Sequence, residues 1–213
     1  MKALFLCLML AVWSCFGGQP GGSAGGSAPI ALFAQFEHQP PAAVVDALHA
    51  EVDAIMQPAG LHFEWRSMDA EGRSRPAVEL AVVTFKGRCD PAGWAATPIQ
   101  SGALGWTHVS DGVILPFSEV DCERIHGFMQ RGLSSFPAAD RQEIFGRALA
   151  RVLAHELYHI FADTSRHGSC GVAKSAYTVQ ELVSDDFEFE ARERDALRTS
   201  KAHERLEAST DER

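Results

Sequence analysis

From Arg141 to Phe161 the chain runs without proline and with a single glycine, Gly146. Ile144, Leu149, Val152, Leu153, Leu157 and Ile160 give this stretch a broad apolar surface at helical spacing. It is expected to be a long, largely buried helix, with Asp140 and Glu143 in a capping arrangement at its start. Near its C-terminal end the same stretch carries His155, Glu156 and His159. Ionisable groups on a buried helix are costly when unpaired, so any fold that accepts this helix has to give them partners.

Their spacing names one kind of partner. His155 and His159 stand four residues apart, on one helix face, so both imidazoles can reach a single cation. Glu156 is offset from that line and suits a different task, accepting a proton from a water held by the cation. Neutral nitrogen donors for Zn²⁺ and a nearby carboxylate base are the division that metal-assisted hydrolysis needs. Catalytic zinc has a third protein ligand, and the sequence offers two. His167 follows the helix in the Gly-rich bend His167-Gly168-Ser169-Cys170-Gly171. Glu181 lies further on, where Thr178 and Glu181 fit a capping box opening a short helix, with Ser184 and Asp185 after it. His167 is preferred, because a His at a chain bend reaches back with a short loop. Tyr177 and Tyr158 are weaker candidates as donors to a developing oxyanion, Tyr158 reading better as a core residue and Tyr177 as a surface one. His108, Trp65, Trp94 and Trp106 read as structural.

The rest of the domain reads as a strand from Ile30 to Glu37, then a helix opened by Pro40-Pro41. That helix has Val44, Val45, Leu48, Val52, Ile55 and Met56 on one face and stops at Pro58-Ala59-Gly60. Leu61, Phe63 and Trp65 alternate with polar residues, as in a half-buried strand. Val78 to Phe85 is nearly continuous apolar sequence, expected as a central strand covered on both faces. Two short strands, Gly105–Val109 and Gly112–Phe117, flank the turn signal Ser110-Asp111-Gly112, and Pro116 favours an edge position for the second. The element order predicts an α+β domain, a small mixed sheet with an edge strand packed on two long helices. The domain spans residues 29–190; the charge-rich residues 191–213 read as a solvated helix or frayed tail.

Residues 1–28 read as an export signal and linker: Lys2, an apolar run from Ala3 to Phe16, then a Gly/Ser/Ala stretch. Val12-Trp13-Ser14-Cys15 resembles a bacterial lipobox; acylation of Cys15 would turn the small-residue stretch into a membrane tether. The expected location is periplasmic, cell-surface or extracellular. In an oxidising compartment two of Cys89, Cys122 and Cys170 can pair; Cys89–Cys122 is the expected disulfide, since both border predicted strands. The net charge of −9 makes nucleic acid an improbable partner.

The long helix resembles the active-site helix of the zincin metallopeptidases. His155, Glu156 and His159 match that family's motif residue by residue, which implies two zinc ligands and a general base. The strand–helix–strands–edge-strand order is also similar to the zincin N-terminal half, and the resemblance covers roughly Ile30 to Val183. The strict metzincin pattern is absent, because Ala162 and Ser165 stand where that subgroup has its Gly and third His. His167-Gly168-Ser169-Cys170-Gly171-Val172 is similar to a looser metzincin-like arrangement in small exported bacterial proteins. Glu181-Leu182-Val183-Ser184-Asp185 resembles the gluzincin alternative, in which a Glu is the third ligand. The resemblance implies hydrolysis of peptide bonds by a zinc-activated water with Glu156 as base, and a peptide or protein substrate bound along the edge strand Gly112–Phe117. The protein is expected to act as a monomer. A cell-surface binding domain without turnover, or an amidohydrolase of small molecules, would fit the same residues.

Overall fold

The computed structural model describes residues 29–92 and 101–211. The export signal, Cys15 and Trp94 therefore lie outside the described residues. Strand β1 (Ile30–His38) leads into helix α1 (Ala42–Met56), with Pro41 in the N-cap position, where its missing N–H is no loss. A single 3₁₀ turn (Gln57–Ala59) ends at Gly60, whose φ of +82° suits glycine, and strand β2 (Phe63–Arg66) follows. The short helix α2 (Ala70–Ser74) is capped by Asp69 and precedes β3 (Glu79–Arg88). Strands β4 (Gly105–Ser110) and β5 (Val113–Asp121) form a hairpin, and helix α3 (Cys122–Leu133) leaves β5 directly. The long helix α4 (Arg141–Phe161), then α5 (Val179–Val183), α6 (Ala191–Arg198) and α7 (Lys201–Asp211), complete the chain. No helix among the described residues is long and apolar enough to cross a membrane.

The expected mixed sheet is present, with strand order β2-β1-β3-β5-β4. All its pairings are parallel except β4 with β5. Helices α1 and α4 supply most of the buried partners for the sheet: Val44, Leu48 and Val52 from α1, and Phe145, Leu149, Val152 and Leu153 from α4. Gly146, a weak helix former, stands where these two helices meet. A Cβ there would lie 2.5 Å from the Val44 carbonyl oxygen and 2.9 Å from the Ala47 Cβ. Close packing thus takes precedence over helix propensity at this position.

Several expectations are corrected. Strand β3 is central, but only Ala81, Val83 and Phe85 are fully buried, while Leu80 is exposed. Its apolar run is therefore covered on one face only. Gly112–Phe117 is not an edge: β5 lies between β3 and β4, and among the described residues the edges are β4 and β2. Pro116 is accommodated instead by an irregularity: the β4–β5 register shifts between Thr107↔Ser118 and Val109↔Ile114, and pairing of β5 with β3 begins only at Phe117. The hairpin turn uses Asp111 and Gly112, both at positive φ (51° and 79°), the geometry that a two-residue hairpin with right-handed twist requires. Helix α3 was not among the expected elements. Asp121 caps it by accepting a hydrogen bond from the Arg124 N–H at 2.8 Å, and Ile125, Met129 and Leu133 are buried. Asp140 makes no side-chain cap at the start of α4, where it continues a turn from Pro137.

Cys89 and Cys122 form the expected disulfide, joining the end of β3 to the first residue of α3, and Cys170 is free and exposed. The residues expected as a charged tail fold back on the domain. Leu197 of α6 is buried, and Arg198 donates to the Pro58 carbonyl at 2.6 Å. Arg205 of α7 pairs with Glu79 at the start of β3 at 2.5 Å.

Candidate metal centre

Helix α4 places His155 and His159 one turn apart on its surface, with only 7% and 8% of each residue exposed. The helix ends in a left-handed residue, Asp163 (φ 47°), which turns the chain back along its own last turn. The Thr164 N–H then donates to the His159 carbonyl at 3.2 Å, and the Thr164 carbonyl accepts from His159 Nδ1 at 2.6 Å. Further on, the bend closes where the Gly168 N–H donates to Ala173 O at 2.8 Å. This bend carries His167 to the two helical imidazoles. Its ring centroid lies 5.1 Å from that of His155 and 4.9 Å from that of His159.

The bend depends on Gly171. Its φ is +64°, and a Cβ there would fall on the Glu188 carbonyl oxygen, the acceptor of the Val172 N–H. Val172 O in turn accepts from His155 Nδ1 at 2.9 Å. Gly171→Ala should therefore destabilise the domain by about 2 kcal/mol and weaken metal binding together. Thermal unfolding and a metal titration check this; parental values for both would contradict the role given to the bend.

The nitrogen chemistry of the pair points to a cation. A carbonyl oxygen cannot donate, so the contacts to Val172 O and Thr164 O put the ring proton of each histidine on Nδ1. Nε2 of each ring then carries a lone pair, and the two Nε2 atoms face each other 3.0 Å apart. Burial holds the pKa of His155 down to about 4, and neighbouring His159 and His167 add to this; burial lowers that of His159 as well. Near neutral pH both rings are thus neutral, with lone pairs pointed at one another. A cation between them relieves that repulsion and uses both donors. Among the described residues, the group that could hold a metal ion is His155, His159 and His167, with ligand atoms all within 4.8 Å of one another. Three imidazoles suit zinc, copper, iron or nickel better than magnesium or calcium.

Glu181 does not join them. Its carboxylate closes the capping box with Thr178, accepting from the Thr178 N–H at 2.7 Å, and it pairs with Lys174. Lys174 and then Thr178 hold its pKa down to about 2. Asp185 is fully exposed, with Arg147 at 3.8 Å. The alternative ligand set is therefore committed elsewhere.

Glu156 points to the edge strand. It is 4% exposed, and its Oε2 accepts from the Thr107 hydroxyl at 2.7 Å. Burial raises its pKa to about 7 against the opposing pull of Thr107. A divalent cation nearby would bring that value back down. Gly105 lets β4 come this close, because a Cβ there would lie 2.8 Å from Val152 Cγ1 and 3.0 Å from Glu156 Oε1. Two clefts of about 360 and 370 Å³ meet at His155 and Glu156. Leu104, Phe128, Val152 and Tyr177 line one; Trp106, Thr107, His159 and His167 line the other.

Sequence reasoning missed Trp106 and Thr107 as contributors and misjudged the exposure of Tyr177. Tyr177 is not a surface residue: it is half-buried, its hydroxyl donates to Val172 O and lies 3.0 Å from His155 Nδ1, and burial raises its pKa. Trp106 lines a cleft rather than the core. Thr107 meets Glu156 only through the fold, and no local spacing signals it. Tyr158 packs on Phe189 as a core residue, and exposed His108 contacts Glu119 at 3.2 Å. Neither a family model, nor a curated protein, nor a solved structure matches the chain.

Proposed function

We propose that the protein is an exported zinc-dependent metallopeptidase of the zincin type. The observation that carries this reading is the pair of buried histidines whose Nε2 atoms lie 3.0 Å apart, with a third histidine beside them and a buried carboxylate on the adjoining clefts. Three histidines with an open side are the donor set of catalytic zinc. Bound there, zinc would polarise the scissile carbonyl and acidify the attacking water.

The chain's own residues supply the rest. His155, His159 and His167 hold the ion. Glu156, on the wall shared by both clefts, takes the proton from the attacking water and passes it to the leaving amine. Val172 O and Thr164 O keep His155 and His159 in the ligating tautomer. Among the described residues strand β4 is the sheet edge beside the site, and an edge strand suits an extended peptide as substrate. A zinc site of this kind is consistent with export and an oxidised Cys89–Cys122 pair.

The test is cleavage of an unstructured substrate such as casein by the purified mature protein. Cleavage that a chelator abolishes and zinc restores is the expected result. A zinc-loaded protein that cleaves neither casein nor a peptide library would overturn the reading and leave a metal-holding binding domain.

A further inference from the structure

The base of the proposed reaction is held from the substrate side, not from its own helix. Glu156 sits on α4, yet the hydroxyl 2.7 Å from its Oε2 belongs to Thr107 on β4, and the same hydroxyl lies 3.2 Å from the Glu156 carbonyl oxygen. Two residues earlier on that strand stands Gly105, where a Cβ would come to 3.0 Å from Oε1. One strand thus shapes the surroundings of both oxygens: Thr107 engages Oε2, and the Cβ that Gly105 lacks leaves room at Oε1. Among the described residues, Thr107 is the side chain that donates to it. A buried carboxylate without a donor turns toward whatever polar group it can reach, and a general base must stay within hydrogen-bond reach of its water.

We infer that Thr107 is a positioning residue for Glu156: by engaging Oε2 it fixes the carboxylate plane and leaves Oε1 as the oxygen that takes the proton from the attacking water. This role rests on the peptidase reading above. Because Thr107 belongs to the edge strand, a peptide bound along β4 would share its strand with the group that aims the base. Substrate alignment and base alignment are then set by one element.

The test compares Thr107→Val, which keeps the shape and removes the donor, with Thr107→Ser, which keeps the donor. On a peptide cleaved by the zinc-loaded parent, Thr107→Val should lower kcat roughly 10- to 100-fold with KM and zinc content unchanged, and Thr107→Ser should recover most of it. In parallel, the side-chain carboxyl carbon resonance of Glu156, assigned with Glu156→Gln in metal-free protein, should move in Thr107→Val and return in Thr107→Ser. Parental kcat in Thr107→Val, a loss that Ser does not repair, or an unmoved resonance overturns the inference. If the parent itself hydrolyses nothing, the peptidase reading fails. The role as positioning residue for a base then falls with it, and the resonance tells the two failures apart: displacement in Val with return in Ser leaves the Thr107–Glu156 hydrogen bond standing, and no displacement overturns that bond as well.

Discussion

Elemental analysis of the purified mature protein should find about one zinc per chain, and His167→Ala should lose it while Glu181→Ala keeps it. The asymmetry follows from where each side chain is spent. His167 has its ring about 5 Å from both helical imidazoles and belongs to the group whose ligand atoms lie within 4.8 Å of each other. Removing it leaves two ligands, and a two-histidine site holds zinc far more weakly than three. Glu181 is bound to Thr178 and Lys174, so its loss should cost the α5 cap, about 1 kcal/mol of stability, with the metal in place. Zinc lost with Glu181 and kept without His167 would redraw the site as the Glu-ligated alternative. A folded parent that binds no metal would reduce the three histidines to a packing feature.

Glu156→Gln should produce two opposite effects in one variant. Hydrolysis by the zinc-loaded protein should fall by at least about 100-fold, since an amide cannot accept the proton, and zinc content should hold. The metal-free variant should be more stable than the metal-free parent near pH 7. Burial raises the Glu156 pKa from 4.5 to about 7. Between those values the folded parent keeps a proton that the unfolded chain has released, so parental stability falls as pH rises through the window. The amide has no proton to lose. The variant's advantage should therefore be absent below pH 4.5 and grow to about 3 kcal/mol by pH 7. His155 works in the other direction in both proteins. Its pKa is depressed from 6.5 to about 4, so its contribution is complete above pH 6.5 and is lost as pH falls toward 4. Taking the difference between variant and parent removes that shared slope. Parental hydrolysis in Glu156→Gln would dismiss Glu156 as the base, and a pH-independent stability difference would mean that its carboxyl is not desolvated.

Where local spacing carried the information, the chain was legible. The long helix begins and ends at Arg141 and Phe161, the bounds of the proline-free apolar run. The capping box of Thr178 and Glu181 forms as its spacing suggests, and that same box occupies the Glu181 carboxylate. The hairpin turn at Asp111-Gly112 is equally local. Helix α3 was harder to see, because Gly127, Gly132 and interleaved charges dilute the recurrence of Ile125, Met129 and Leu133. Its helical state rests on the Asp121 cap and on packing against β3 and α4.

The sequence by itself determined that two histidines and a carboxylate share a buried helix, since a period of 3.6 residues leaves no other placement, and that a histidine follows at a bend rich in glycine. It could not rank β4 and β5 within the sheet, because both read as short apolar strands and strand order is set by pairings far apart in sequence. The tertiary structure alone decided which strand is the edge, that α6 docks beside the turn after α1, and that Thr107 and Tyr177 reach the site. The hydrogen bond from Thr107 to Glu156 spans 49 residues of chain. A contact of that range exists only after the sheet has closed on the helix, so no window of sequence can contain it.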